Sequence, residues 1–166
     1  MVLDEMKIQY ALFSYLIQKG RQYIIPNIYN GGSEADVLTT TAAGYLQEYE
    51  IKISLADFKA DFKKPKHWQM KNGFPHGQYH IDRFWYVAPI NAVPLCIPDY
   101  AGLVEASIAR MGYILLRVVK PAPKLNGEKY GKGFRDKALK SLMYKYWNLA
   151  KNLNQQKCER EVLNNI

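Results

Sequence analysis

Cysteine is scarce in this chain: Cys96 and Cys158 stand far apart among 166 residues. Two distant cysteines make no disulfide framework, so both are read as reduced thiols, which fits a cytoplasmic protein. No apolar run approaches the length needed to span a bilayer, so no membrane partner is expected. Residues Met1 to Lys7 lack the basic flank and apolar stretch of a secretory signal. No glycine-rich phosphate loop, Ser-His-Asp pattern or Cys-His nucleophile pattern stands out. Histidine is rare too. His76 and His80 have usable metal spacing, but no matching Cys or His pair accompanies them, so no zinc site is expected. Acidic residues are in deficit, 15 against 23 basic ones, for a formal charge of +8. Such an excess favours a polyanionic partner such as nucleic acid, although a basic soluble protein without one carries the same charge.

What is present is enough for a real core: 48% of the residues are apolar, and the length suits one domain. Met6, Tyr10, Phe13 and Ile17 recur at helical spacing and predict a helix over Leu3 to Lys19, with Gly20 as its C-cap. Three strands follow, Tyr23 to Tyr29, Glu34 to Thr41 and Tyr45 to Ile53. Turns at Asn30 to Ser33 and at Ala43-Gly44 join them into an antiparallel meander. Ser54 reads as an N-cap with Asp57 at N3, starting a helix from Leu55 to about Lys64 that Pro65 helps to end.

Trp68 to His80 reads as a loop, Arg83 to Ala88 as a buried strand, and Pro89 to Pro98 as a connection to a short segment around Leu103. Gly112 to Val119 is another strand. After an irregular basic stretch, a long helix is predicted from Phe134 to about Glu161, with Leu139, Leu142, Tyr146, Leu149 and Leu153 as its apolar seam. That seam reads as core packing, or as the contact of a homodimer, since its spacing is heptad-like. The fold class is α+β: a central mixed sheet flanked by helices.

The run Glu48-Tyr49-Glu50-Ile51-Lys52-Ile53-Ser54 carries charge on alternate positions. Side chains alternate along a strand, so Glu48, Glu50 and Lys52 share one face, while Tyr49, Ile51 and Ile53 share the other and belong to the core. In the preceding strand Glu34 and Asp36 share a face. Pairing through the Ala43-Gly44 turn brings Asp36 near Glu50, with room for a bulge. Two close carboxylates raise each other's pKa, and a divalent cation removes that penalty; hard oxygen ligands suit Mg²⁺ or Mn²⁺. An exposed strand face also carries Glu and Lys as simple cross-strand ion pairs.

An acidic residue on one strand, Glu-x-Lys on the next, and then a helix resemble the PD-(D/E)XK nuclease superfamily, whose core is an α-β-β-β-α-β unit. Ala35 stands where many members have proline. The blocks EADVL, EIKISLADFKADFK, DRFWYVAP, IPDYAGLVEA and LLRVVKPAP resemble, in order, the MmcB-type branch of DNA-repair-associated and phage-like nuclease proteins. The resemblance spans about Leu3 to Pro123. It implies a nuclease-like core over residues 1–123, with 124–166 as a basic segment and terminal helix extending it.

It further implies metal-dependent hydrolysis of DNA. Asp36 and Glu50 would hold Mg²⁺ with the backbone carbonyl of Ile51, and Lys52 would contact the attacking water or the scissile phosphate. Glu5, from the first helix, is the candidate for an accessory acid; a solvated charge favouring the helix N-terminus explains it equally. Glu48, Ser54, Asp57 and Asp61 are candidates for a surrounding layer, and capping or helix-surface pairing accounts for the last three as well. Lys63, Lys64, Lys66, His67 and Lys71 are candidates for contact with DNA, as are Lys124, Lys129, Lys132 and Arg135. Two other readings stand beside the nuclease: a non-catalytic DNA-binding module of the same fold, and a phage or mobile-element protein whose basic surface serves a protein partner.

Overall fold

A computed structural model describes residues 2–31, 33–73, 81–125, 129–130 and 132–163. The elements run α1 (Glu5–Gln18), β1 (Gln22–Asn30), β2 (Ser33–Thr40), β3 (Leu46–Ile51), α2 (Leu55–Asp61), α3 (Pro65–Lys71), β4 (Arg83–Pro89), β5 (Ala101–Ile108), β6 (Ile114–Lys120) and α4 (Lys132–Leu163). One six-stranded sheet takes the strands in chain order. β1, β2 and β3 are antiparallel, β3, β4 and β5 are parallel, and β6 returns antiparallel. The class is α+β with a mixed sheet, as predicted. No helix among the described residues is long and apolar enough to cross a membrane.

The chain forms two compact units, residues 1–130 and 131–166. The expected boundary after Pro123 falls too early. Ala122 belongs to the core, Leu125 donates its N–H to the Asp82 carbonyl at 2.8 Å, and Tyr130 donates its own to the Gly44 carbonyl at 3.0 Å. These bonds tie the stretch after β6 into the first unit. The second unit is α4.

α1 starts at Asp4, whose carboxylate caps Lys7 N at 2.9 Å. It covers one face of the sheet with Ile8, Leu12 and Leu16, packed on Val37, Tyr49, Ile51, Trp85, Val87 and Val104. Full burial of each such aliphatic side chain is worth about 2 kcal/mol. The row whose spacing signals the helix, Met6, Tyr10, Phe13 and Ile17, is exposed. Two apolar rows run along this helix, and the sheet takes the one with the smaller, aliphatic side chains.

The opposite face is covered by the α2–α3 connection between parallel strands. Pro65 does not end a helix; it occupies the first turn of α3, where its missing N–H costs nothing. Residues 65–71, partly assigned to a loop from sequence, are therefore helical, and His76 and His80 lie outside the described residues. The segment around Leu103 is a full strand, β5, in which Gly102 lies beside Trp85. A Cβ at Gly102 would come within 2.8 Å of the Trp85 ring and the Ala122 backbone, which explains a glycine inside a central strand.

Candidate active site

The β2–β3 ladder pairs Val37 with Tyr49, and so sets Asp36 beside Glu50. The register is continuous, without the bulge that sequence left room for; irregular pairings lie between β1 and β2 and between β5 and β6. Asp36 Oδ2 accepts the N–H of Ile51 at 2.6 Å. The Asp36 carbonyl accepts from Gln9 of α1 at 2.8 Å, and Gln9 also donates to Asn27 Oδ1 at 2.7 Å. Gln9 thus fastens the first helix to the strand that carries Asp36. A lone glutamine on a helix has no spacing signal, so the sequence by itself does not mark Gln9.

Every residue of β3 is buried. The charged face of Glu48, Glu50 and Lys52 is therefore not a wet one. It is roofed by α2 and α3, whose Phe58, Asp61, Lys66, His67 and Met70 are buried. Ile53, expected in the core, is exposed because the strand ends at Ile51.

A closed ion network fills this interface. Lys52 Nζ lies 3.0 Å from Glu50 and 3.0 Å from Asp61. Lys64 Nζ lies 2.8 Å from each of the same two carboxylates. Lys66, fully buried, bridges Glu48 at 2.8 Å and Glu50 at a shorter distance still. Glu48 also accepts from Asn30 at 3.2 Å. Three ammoniums thus meet the carboxylates of Glu48, Glu50 and Asp61. Such a pairing is what allows charges to be buried at all.

Asp61 is the hub of a second chain. His67 Nε2 lies 2.7 Å from its Oδ2, the other ring nitrogen lies 2.9 Å from the Tyr100 hydroxyl, and Tyr86 donates its hydroxyl to Oδ2 at 3.2 Å. Burial opposes the charged form of Asp61, but the hydrogen bond from His67 and the ammoniums of Lys66 and Lys52 prevail and hold its pKa below the usual carboxylate range. Lys52 behaves similarly. Burial acts against its charge, Glu50 and Asp61 outweigh it, and the pKa is raised. Lys64 is shifted up for the same reasons. Tyr100 is pushed up to about 12 by burial and by the charge of Asp61.

Asp36 is the exception. Burial, then the charge of Glu50, push its pKa up to about 7, against the opposing pull of the Ile51 N–H. Glu5 adds a small push in the same direction, so the first turn of α1 lies within electrostatic reach of Asp36, although Glu5 itself is exposed. Among the described residues no lysine or arginine stands within ion-pair distance of Asp36.

The outer candidates divide. Ser54 caps α2 by accepting from Asp57 N at 3.2 Å, and Asp57 Oδ2 accepts the N–H of Ile53 at 3.2 Å; Asp57 also reaches within 3.8 Å of Lys52. Lys63 and Lys71 are exposed. Lys66 and His67, expected against DNA, point inward and serve the network, which corrects that expectation. A fully buried ammonium is out of reach of a phosphate backbone. Lys124 and Lys129 are exposed and lie over the Tyr45 ring, 5.3 and 5.8 Å from its centroid. Lys132 and Arg135 belong to α4, so the expected basic cluster is split between the two units.

No family model matches the chain, and no curated protein matches it. Among solved structures it is similar to the SPO1766 protein of unknown function from Silicibacter pomeroyi, with a TM-score of 0.62, 19% identity and 94% of each chain covered. That likeness concerns the fold alone.

Proposed function

We propose that the protein is a metal-dependent deoxyribonuclease of the PD-(D/E)XK type. The observation that carries this reading is Asp36: a largely buried carboxylate set beside Glu50, with Lys52 two residues on, and with no ammonium of its own. A buried acid pair of this kind lacks one positive charge. Among the described residues no cluster of three or more His, Cys, Asp or Glu could hold a metal by itself. Mg²⁺ does not require one, since it usually keeps several waters and takes one or two carboxylates together with substrate phosphates. Asp36 and Glu50, with the Ile51 backbone, fit that pattern.

A bound Mg²⁺ or Mn²⁺ would supply Lewis acidity to a phosphodiester and lower the pKa of water. The chain's own groups do the rest. Asp36, tethered by the Ile51 N–H, and Glu50 hold the negative pole. Lys52, its pKa raised, remains an ammonium at neutral pH. It therefore donates hydrogen bonds and stabilises charge developing on a phosphate oxygen, and does not act as a base. Asp61, 3.0 Å away, holds Lys52 together with Glu50. Lys64 is a third exposed and its two rivals on Glu50 are not, so it is the ammonium free to give way at Glu50 and to meet DNA.

A second reading has its own observation. Lys52, Lys64 and Lys66 already neutralise Glu48, Glu50 and Asp61 without any metal, as a non-catalytic DNA-binding module of this fold would require. The two readings separate on supercoiled, linear and branched DNA incubated with Mg²⁺, Mn²⁺ or EDTA, with Asp36→Asn in parallel. Cleavage that EDTA and Asp36→Asn both abolish supports the nuclease. A wild type inert on every substrate, or a mutant that cuts equally well, ends that reading.

A further inference from the structure

The sheet face that α1 covers holds a cavity of about 210 Å³, on the side away from the Asp36–Glu50 pair. Its walls are Tyr15, Leu16, Lys19, Arg21, Tyr49, Trp85, Val104 and Val118. Tyr49 and Trp85 stack with centroids 5.9 Å apart and planes 4° from parallel, so one wall is an offset aromatic pair. Leu16, Val104 and Val118 make the rest of the interior apolar. Both charges belong to cations. Lys19 arches over the Tyr15 ring at 5.4 Å, and no carboxylate lines the cavity among the described residues.

Arg21 hydrogen-bonds the Tyr49 hydroxyl, and its guanidinium meets no carboxylate in the lining. The indole Nε1 of Trp85, a residue only 9% exposed, has no hydrogen-bond partner, and neither has Arg21 Nε. Unpaired buried donors are rare in folded proteins. Arg21 is not needed to cap the helix either, because its C-terminal carbonyls already receive N–H groups. Gly20 N donates to Ile17 O at 2.9 Å and Arg21 N to Leu16 O at 3.0 Å. A guanidinium held in an apolar, aromatic cleft without an acid is a receptor for an anion that brings an apolar body with it.

We infer that this cavity is a binding site for a small aromatic carboxylate, its ring against Tyr49 and Trp85 and its carboxylate on Arg21 and Lys19. A guanidinium matches the two oxygens of a carboxylate in a planar fork. Inorganic phosphate suits the site poorly, since it would leave the apolar walls unused. The inference is independent of the nuclease reading: Arg21, Lys19 and Trp85 take no part in the Asp36–Glu50 site.

The test uses the full chain with benzoate, salicylate and phenylacetate as probes, and benzamide and inorganic phosphate as controls. Binding is read by calorimetry and by the indole N–H resonance of Trp85, assigned with Trp85→Phe. The expected result is a saturable shift of that resonance by the carboxylates. Affinity should fall about tenfold or more in Arg21→Gln, less in Arg21→Lys, and about threefold in Lys19→Gln. No saturable binding in the millimolar range overturns the inference. So does equal affinity for benzamide or for phosphate. If the Arg21 variants do not fold, Lys19→Gln decides, because Lys19 is exposed; unchanged benzoate affinity there overturns it as well.

Discussion

The N–H of Ile51 donates to Asp36 Oδ2 at 2.6 Å across the β2–β3 pair, and so holds a carboxylate against Glu50. The bond costs Asp36 its freedom to turn away from a like charge. The result is an acid whose pKa is pushed up to about 7 by burial and by Glu50.

That shift makes stability depend on pH in a defined direction. A folded-state pKa of about 7 lies above the unfolded value of about 3.9, so the folded protein holds the proton more tightly. The favourable contribution is fully present below pH about 4 and is lost as pH rises to about 7. In EDTA, Asp36→Asn should therefore match wild type at the acid end and exceed it by up to about 4 kcal/mol at pH 8, at about 1.4 kcal/mol per pKa unit. Urea unfolding at both ends of the window checks this. An equal effect at both pH values would contradict the assigned cause.

Mn²⁺ should reverse the order. The ion supplies the charge that Asp36 lacks, so wild type should gain melting temperature on adding Mn²⁺ while Asp36→Asn gains little. A thermal scan with and without the ion suffices, and equal gains in both proteins would count against a metal at Asp36.

Lys66 is the fully buried member of the lysine trio that bridges Glu48 to Glu50. Its replacement by Met leaves two buried carboxylates short of a partner and should cost about 3–5 kcal/mol. Adding Glu48→Gln should recover part of the loss, because the charge left behind is then smaller. Denaturant midpoints of the two single variants and the double variant give the coupling. Strict additivity would mean that the Lys66–Glu48 contact carries no weight.

Leu12→Ala should destabilise by about 2–5 kcal/mol, whereas Met6→Ala on the exposed row should stay within about 0.5 kcal/mol. Comparable losses at the two positions would mean that α1 packs by its other face.

Local rules made much of this molecule readable. Alternation along Glu48 to Lys52, together with counting back from the Ala43-Gly44 turn, is enough to bring Asp36 to Glu50, and the Ser54–Asp57 cap is a short-range pattern. The rest needs distance. Nothing near Lys66 signals that it points inward, since its partners lie on a strand sixteen residues or more away. α3 was hidden because proline closes one helix as readily as it opens the next. β5 contains Gly102, whose purpose is visible only against the Trp85 ring. The choice between the two apolar rows of α1 belongs to the sheet and not to the helix.

The lysine roof over β3 has a consequence for assembly. A strand buried on both faces is ordinarily an uninterrupted apolar run, sticky to its own kind whenever it is unpaired. β3 avoids that state. Until α3 docks, Glu48 and Glu50 face water and repel any second copy of the same strand, as gatekeeper charges do. Once α3 arrives, the charges that kept the nascent sheet apart from its neighbours become the bonds that close it.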